Sequence, residues 1–155
     1  MATTNGQLYF IGLRTLERVI IQFVPDKLSL SRGANVSGLN VIGRNNPIYH
    51  FTGGETLLDF DLDFHAEAQD RQDVITKVKW LEALCYSDGR EYPPEKIKLV
   101  FGSIFRDEEW SVVSVKYDLS LFDKQFGFLP RQANVKVTLK LDPTRNIRLN
   151  DVKWT

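Results

Sequence analysis

The chain has 155 residues, enough for one domain with a sizeable core. Twenty basic residues balance twenty acidic ones, so no basic field argues for nucleic-acid binding. The single cysteine, Cys85, excludes an internal disulfide and a paired-cysteine metal site. Residues 1–7 lack the pattern of a signal peptide, and no apolar run is long enough to span a bilayer, so we expect a protein that folds in the cytoplasm.

The first third of the chain predicts an arm, two strands and a long loop. Residues 1–16 show no clear period and are interpreted as an N-terminal arm that either packs on the domain or reaches a neighbour. Branched residues over 17–24 indicate a strand, and a second short strand is expected at 27–31. Residues 32–54 are rich in glycine and asparagine, which predicts a long loop with a short strand near 48–52. A loop of this length usually has a function, and we expect contact with a neighbouring subunit. The residues expected to make this contact are Gly33, Asn35, Gly38, Asn45, Asn46 and Pro47.

The middle of the chain carries one clear strand pattern and one helix pattern. Over residues 56–66, apolar residues alternate with an acidic ladder, so one face is expected to be buried. The apolar set is Leu58, Phe60, Leu62 and Phe64, and the acidic ladder is Asp59, Asp61 and Asp63. The period then changes, and residues 70–86 predict an amphipathic helix. Its buried stripe is Val74, Val78, Leu81 and Cys85, widened by Ile75 and Leu84. A further strand is expected at 96–101.

The most informative pattern is a long β-ribbon at 110–141. Strand 110–122 alternates apolar and polar residues, strand 133–141 does the same, and a polar connector with glycine and proline joins them. Val113, Val115, Tyr117, Leu119 and Leu121 are expected on one side of the first strand. Such a ribbon can pair with copies of itself, which points to assembly. The residues predicted to carry this pairing are Val113, Val115, Lys116, Tyr117, Asp118, Val135, Lys136, Val137 and Lys140.

The order of elements defines the predicted fold class. Strands are followed by one helix and then by strands, without βαβ alternation or an internal repeat. This order predicts a single α+β domain of mostly antiparallel strands, a β-sandwich or small barrel with one flanking helix. Residues 1–16 would form the arm, 17–142 the core and 143–155 a C-terminal tail.

The sequence offers no catalytic, cofactor or metal motif. Neighbouring members of the acidic ladder would stand about 7 Å apart, too far to bind one cation together. His50 and His65 have no ligand spacing, and no nucleophile or phosphate-binding motif is present. Trp80, Trp110 and Trp154 are expected at protein contacts. We therefore predict a protein that is not an enzyme. Two alternatives are a β-sandwich that binds a sugar or peptide on the glycine-rich loop, and an enzyme without a recognisable motif.

Several landmarks in order carry a family resemblance. They are residues 19–25 ending in Pro25, the segment 51–54, the strand 58–64, the helix from 73 to 84, the segment 97–102 and the ribbon 110–141. In this order they resemble the tube-domain family of contractile injection systems and phage tails, specifically the tube-initiator or baseplate-tube protein. The resemblance covers about residues 17–142. It departs from the family at Phe101, where tryptophan is expected, and the LysM module of larger members is not expected here.

The resemblance implies a structural role. Family members form hexameric rings whose subunits contribute strands to a continuous inner β-barrel, and the rings stack between a hub or spike and the tube. The implied partners are other copies of the chain, adjacent tube rings and baseplate hub proteins, without a membrane or a cofactor. DNA or other cargo would pass through the lumen without specific binding. The implied location is a virion tail or injection particle assembled in the bacterial cytoplasm. Whether this is the repeated tube subunit or a single-layer initiator stays open.

Overall fold

The computed structural model describes residues 8–21, 23, 25–66, 71–87, 89, 92–102, 104–105 and 108–142. Within them lie nine β-strands, one α-helix and one 3-10 turn. The first five strands are β1 (Leu8–Gly12), β2 (Arg18–Ile20), β3 (Leu28–Arg32), β4 (Asn35–Leu39) and β5 (Ile48–Gly53). They are followed by β6 (Thr56–His65), α1 (Arg71–Ala83), β7 (Ile97–Phe101), β8 (Glu109–Asp123), the 3-10 turn (Lys124–Phe126) and β9 (Leu129–Leu141).

Seven strands form one antiparallel sheet in the order β2-β1-β7-β8-β9-β6-β3. The remaining two, β4 and β5, form a separate two-stranded hairpin. With one helix against this sheet, the predicted α+β class with mostly antiparallel strands is confirmed.

The core follows from strand alternation. β6 buries Leu58, Phe60, Leu62 and Phe64 and exposes the aspartates between them, as predicted. Its neighbour β9 buries Ala133, Val135, Val137 and Leu139 on the same face. The helix packs on β9 and β8. Its buried residues Val74, Val78 and Leu81 complete that side of the core, which confirms most of the predicted stripe.

The large sheet curls strongly. Phe10 of β1 stacks on Phe60 of β6 with ring centroids 6.0 Å apart and an interplanar angle of 15°. Three strands separate β1 from β6 in the sheet order, so this contact requires the sheet to bend back on itself. β2 and β3 end the sheet on its two sides and do not pair with each other. The sheet is therefore an unclosed barrel with its core inside.

Within the predicted N-terminal arm, residues 8–12 pack on the domain as a strand of the sheet, which the sequence did not predict. They form β1, which pairs with β2 and β7, and Leu8 and Phe10 are fully buried. Alternation was hidden because Tyr9 and Ile11, on the other face, are also apolar. The strand predicted over 17–24 is observed as the shorter β2. Residues 1–7 and the predicted tail 143–155 lie outside the described residues.

The helix end and the predicted loop are corrected as well. Cys85 is exposed, and Leu84 takes the buried position instead. The last turn tightens, since the N–H groups of Leu84, Cys85 and Tyr86 donate to carbonyls three residues earlier. This change of period rotates Cys85 off the stripe. The segment 32–54 is largely the β4–β5 hairpin, which the sequence hid because its apolar residues follow no simple alternation.

Candidate assembly surfaces

The side of the sheet facing away from the core is a continuous polar face across β6, β9 and β8. Residues paired across antiparallel strands point to the same face. Asp61 lies opposite Lys136, which lies opposite Lys116 on its other side. In the next polar row, Asp63 lies opposite Asn134 and Asn134 opposite Asp118. The acidic ladder and the lysines of the ribbon are thus brought together on one surface.

Polar contacts tie this face together. The Asn134 side chain donates to Asp63 at 2.6 Å, and the Thr138 hydroxyl donates to Asp59 at 2.6 Å. At one end, the Lys140 ammonium lies 3.5 Å from the Glu55 carboxylate. Within the described residues, no group of three or more histidine, cysteine or acidic side chains is placed to hold a metal ion. The face is therefore a surface of mixed charge.

The other predicted ribbon residues point away from this face. Val115 and Tyr117 lie opposite Val137 and Val135, so all four share the core side. Val113 was expected there too, and this prediction is wrong. Val112 pairs with Leu139 and Ser114 with Thr138, which leaves Val113 as the extra, exposed residue of a β-bulge.

The helix fixes the middle of the ribbon through a polar contact. The Tyr117 hydroxyl donates to the Glu82 carboxylate at 3.0 Å, and the Lys79 ammonium lies 3.0 Å from that carboxylate. Hydrogen bonds with Glu82 and Tyr117 raise the pKa of Lys79. Hydrogen bonds from Lys79 and Tyr117 lower the pKa of Glu82. Both charges lie at the surface, so this contact adds little to the stability of the fold.

The sheet leaves one long strand edge open. β9 pairs with β8 from Trp110 to Asp123, whereas β7 pairs only with Glu109 and Trp110. In the described part of the chain, residues 111–122 therefore have a strand partner on one side only. Across the sheet, β3 pairs with β6 and with no other described strand. An unpaired edge of this length is a template for another strand.

The β4–β5 hairpin is the most exposed part of the described structure. Val36 pairs with Phe51 and Leu39 with Ile48, and these apolar residues lie on both of its faces. A two-stranded hairpin is marginally stable in water without a covered face. The predicted contact residues lie in or beside it: Gly33 before β4, Asn35 and Gly38 within β4, and Asn45, Asn46 and Pro47 in its connection. Its exposed apolar residues are Val36, Leu39, Val41, Ile42, Ile48, Tyr49 and Phe51.

A close chain crossing sets where the hairpin leaves the sheet. The Gly33 N–H donates to the Glu55 carbonyl at 3.0 Å, which prolongs the β3–β6 pairing. A Cβ atom at Gly54 would overlap the Gly33 carbonyl oxygen. Gly53 has a φ of 105°, a backbone conformation that residues other than glycine rarely adopt. The Gly53–Gly54 pair thus permits a turn into β6.

The ribbon ends in an apolar tip, defined as residues 121–128. The exposed apolar side chains here are Leu121, Phe122, Phe126 and Phe128. Asp123 accepts a hydrogen bond from the Gln125 N–H at 3.0 Å and holds the turn. Leu121 and Phe128 have φ angles of 57° and 61°, and each is 63% exposed.

Left-handed backbone at a bulky residue costs about 1–3 kcal/mol. The tip therefore presents apolar side chains at a conformational cost, which is a mark of functional sites. The sequence reading of this connector as polar overlooked its phenylalanines, whose density was the available signal. Leu121 was also expected on the buried side of the strand and instead points outward.

The three tryptophans do not share one role. Trp110 is fully buried with Phe105 edge-to-face against it at 5.6 Å, so its expected place at a protein contact is wrong. Trp80 is half-buried and donates to Glu17 at 2.6 Å. Trp154 lies outside the described residues. Of the histidines, His65 packs edge-to-face on Phe23 at 5.4 Å, and His50 lies in the hairpin opposite Ser37.

A cleft of about 260 Å³ lies between the end of α1 and the turn that joins β1 to β2. Trp80, Tyr86, Glu17 and Glu95 are among its lining residues. None of the lining residues belongs to the glycine-rich segment 32–54. The cleft therefore gives no support to a sugar or peptide site on that segment.

Comparison with known proteins gives structural neighbours only. No protein-family model matches the sequence, and no curated protein is similar to it. The chain is similar to a chain of the anti-feeding prophage (AFP) baseplate, 6-fold symmetrised, with 10% identity and a TM-score of 0.46 over 94% of this chain and 93% of that chain. It is also similar to a chain from the tail of an empty GTA particle with C6 symmetry, with 8% identity and a TM-score of 0.42 over 96% and 98%. Among the described residues, no helix is long and apolar enough to cross a membrane.

Proposed function

We propose that the chain is a non-enzymatic structural subunit of a phage tail or contractile injection particle, and that it forms a hexameric ring of the inner tube or its initiator. The observation that carries the proposal is the sheet segment β3-β6-β9-β8, with a polar outer face and a strand edge available on each side. The resemblance of residues 17–142 to the tube-domain family supports the same function.

The strand directions fit a head-to-tail ring. Directions alternate along β3-β6-β9-β8, so β8 and β3 run in opposite senses. Rotation about an axis along the strands keeps the direction of every strand. The β8 edge of one subunit then meets the β3 edge of the next in an antiparallel pair, and the sheet continues around the ring. Closure removes the strand edges that a single subunit exposes.

The sequence predicts that the ribbon pairs with the ribbon of another copy, and the proposed ring replaces that pairing with β8 against β3. β9 already has a partner on each side, so only β8 offers an edge to a neighbour. Pairing of β8 with another β8 would be isologous and would stop at a dimer. A ring therefore requires β8 to meet β3.

In the proposed ring, the polar face lines the lumen, and the core and the helix lie outside it. The lumen then carries Lys116, Lys136 and Lys140 beside the acidic ladder and Asp118. A wall of mixed charge neutralises few phosphates, so passing DNA would not be held. This property supports a role as a conduit.

The edge of β3 supplies a direct test. Leu30 lies opposite Leu58 on the core side but is exposed, because no strand covers that edge in the single subunit. Leu30→Lys should leave the subunit folded and abolish rings, since a lysine at the joint blocks strand addition. Ser29→Lys is the matched control, because it adds the same charge on the polar face opposite Asp59.

Mass photometry and negative-stain electron microscopy of the purified proteins measure the outcome. We expect rings from the wild type and from Ser29→Lys, and monomers from Leu30→Lys. A wild type that stays monomeric at high concentration contradicts the ring. Normal rings from Leu30→Lys contradict the β8–β3 joint.

A further inference from the structure

The two strand edges that meet in the proposed ring differ in length. β3 offers 5 residues, Leu28–Arg32, whereas the open edge of β8 runs over residues 111–122. One β3 strand can therefore cover only part of the β8 edge. Within a subunit, Leu28 and Val115 lie level with each other across the sheet. The paired residues that link them are, in order, Leu28, Phe60, Val137 and Val115.

We propose that β3 of the next copy is displaced towards the tip of the ribbon by about four or six residues and pairs with residues 115–121 of β8. This inference rests on the ring proposed above. With the smaller stagger, Leu28 and Leu30 of the next copy lie opposite Leu119 and Tyr117. With the larger one they lie opposite Leu121 and Leu119. In both cases a second copy of the chain covers apolar side chains that a single subunit leaves open.

The size of the stagger follows from closure of the barrel. Strands of closed barrels tilt by about 35–45° from the axis, and this tilt requires a stagger around the ring. The four strands β3, β6, β9 and β8 of one subunit span about 19 Å, at about 4.8 Å per strand. At about 3.3 Å per residue, a stagger of four residues per subunit gives a tilt of about 35°, and six residues give about 46°. Two or eight residues give about 19° or 54°, and an odd number would place polar residues beside the core side of the next strand.

The direction of the stagger follows from the hand of the sheet. The Ala66 N–H donates to the Arg131 carbonyl beside β9, and the Gly33 N–H beside β3 donates to the Glu55 carbonyl. Even-numbered residues of β6 therefore direct their backbone groups to β9. For L-residues, this places β9 and then β8 to the right of β6 when the core side faces the viewer and β6 points up. The right-handed twist makes barrel strands lean to the right in this view, so each next copy is displaced upwards, towards the tip.

The surroundings of the β8 edge agree with this direction. The Val115 N–H faces the Cys85 thiol, so the end of α1 flanks the edge at that residue. Nearer the tip, Tyr117 and Leu119 lie on the core side of the strand but are only half-buried. Leu30 on β3 is also a core-side residue that remains exposed. The stagger brings these incompletely covered apolar side chains together.

Cysteine pairs on the polar face measure the stagger directly. Ser29→Cys is combined in one chain with Asp118→Cys or Ser120→Cys, which lie opposite Ser29 of the next copy at the two staggers. Ser29→Cys with Ser114→Cys is the matched control, since these residues lie level without a stagger. Every variant also carries Cys85→Ser, because the native Cys85 is exposed. Residues directly opposite in antiparallel strands have Cα atoms about 4.5–5.5 Å apart, which suits a disulfide.

Mild oxidation and non-reducing electrophoresis count the linked subunits, and electron microscopy before oxidation shows whether rings are present. We expect covalent oligomers up to the full ring from Asp118→Cys or Ser120→Cys, and about tenfold less product from Ser114→Cys. Rings linked through Ser114→Cys, or rings without linked products, overturn the stagger and leave the ring standing. Products through Asp118→Cys or Ser120→Cys without rings support the stagger and overturn the closed ring. Neither rings nor products overturns both.

Amide exchange examines the same joint in the wild type. In the orientation derived above, Tyr117 and Leu119 direct their N–H groups to the open edge of β8. These amides should exchange at least about tenfold more slowly in rings than in the free subunit, which dilution supplies. Slowing confined to residues 111–115, or equal exchange at residues 117–121 in both states, would overturn the stagger.

Discussion

Strand β6 and the β4–β5 hairpin have similar apolar content, but β6 is buried on one face and the hairpin is exposed on both. β6 buries its alternate residues completely, whereas every residue of the hairpin strands except Gly53 is exposed. In β6 the apolar residues share one face, so a single core covers them. In the hairpin Val36 and Phe51 lie on one face and Leu39 and Ile48 on the other. Apolar residues on both faces cannot join one core, which leaves them available to a partner.

The largest expected effect separates the two regions by stability. Leu62→Ala in β6 should lower the free energy of unfolding by about 2–5 kcal/mol, because the side chain is fully buried. Phe51→Ser in the hairpin should leave the unfolding of the free subunit nearly unchanged. Urea titrations of both variants measure the difference. An equal loss for Phe51→Ser would mean that the hairpin packs on the core of its own subunit.

The next largest effect on stability is expected at the close contact between Gly33 and Gly54, where the hairpin joins the sheet. Gly54→Ala places a Cβ against the Gly33 carbonyl, so the backbone must shift, at a cost of about 1–3 kcal/mol. Gly33→Ala is the control, since nothing lies within 4 Å of a Cβ there. Urea midpoints, together with amide exchange over residues 35–53, show whether the hairpin moves. Identical behaviour of the two variants would contradict the close crossing.

The acidic residues on the exposed side of β6 are expected to prevent binding to DNA. The wild type should show no measurable binding to DNA at physiological salt. Replacing Asp59, Asp61 and Asp63 with asparagine leaves the lysines of the polar face unbalanced, so weak, salt-dependent binding should appear. Anisotropy titrations at two salt concentrations measure both proteins. Tight, sequence-dependent binding by the wild type would contradict the passive conduit.

The smallest effect concerns the turn between β1 and β2. Unlike the hairpin, this turn is hydrogen-bonded to the rest of the domain. Glu95 accepts hydrogen bonds from the Thr15 and Arg14 N–H groups at 2.7 and 2.9 Å. Burial opposes ionisation of this carboxyl, but these donors outweigh it and lower its pKa. Its contribution to stability is therefore present above the unfolded pKa, about 4.3, and is lost as the pH falls through the lower folded value.

The measurement compares wild type with Glu95→Gln. Urea midpoints should differ slightly at pH 7, and the difference should shrink towards about pH 3. A difference that grows on acidification would show that Glu95 does not hold the turn as a carboxylate.

Much of the sheet can be read from the sequence, because long strands with one buried face leave an unambiguous period. The observed β6, β7, β8 and β9 lie at or near the predicted ranges, and most of the helical stripe is correct. β1 was not predicted, because its five residues show no alternation: Tyr9 and Ile11 on the outer face are also apolar. The bulge at Val113 escaped because the apolar pattern continues through it, as Val112 and Val113 are both apolar.

The candidate surfaces were predicted less completely. The sequence placed Lys116, Lys136 and the acidic ladder on polar strand faces, but only the register shows that they share one surface. Open edges depend on which strands become neighbours, and residue types do not determine that. The outward turn of Leu121 and Phe128 depends on two backbone angles, for which the sequence offers only the nearby Gly127 as a sign.

The position of β9 has a consequence for the order of synthesis and assembly. β9 is the last described strand along the chain, yet it lies inside the sheet, where it joins β6 to β8. β1 pairs with β7, although the two strands are far apart along the sequence: Phe10 lies opposite Leu99. Such distant pairings form slowly, and the sheet cannot be completed before residues 129–141 have been synthesised. The joining of β6 to β8 through β9 is therefore a late step in the folding of the sheet.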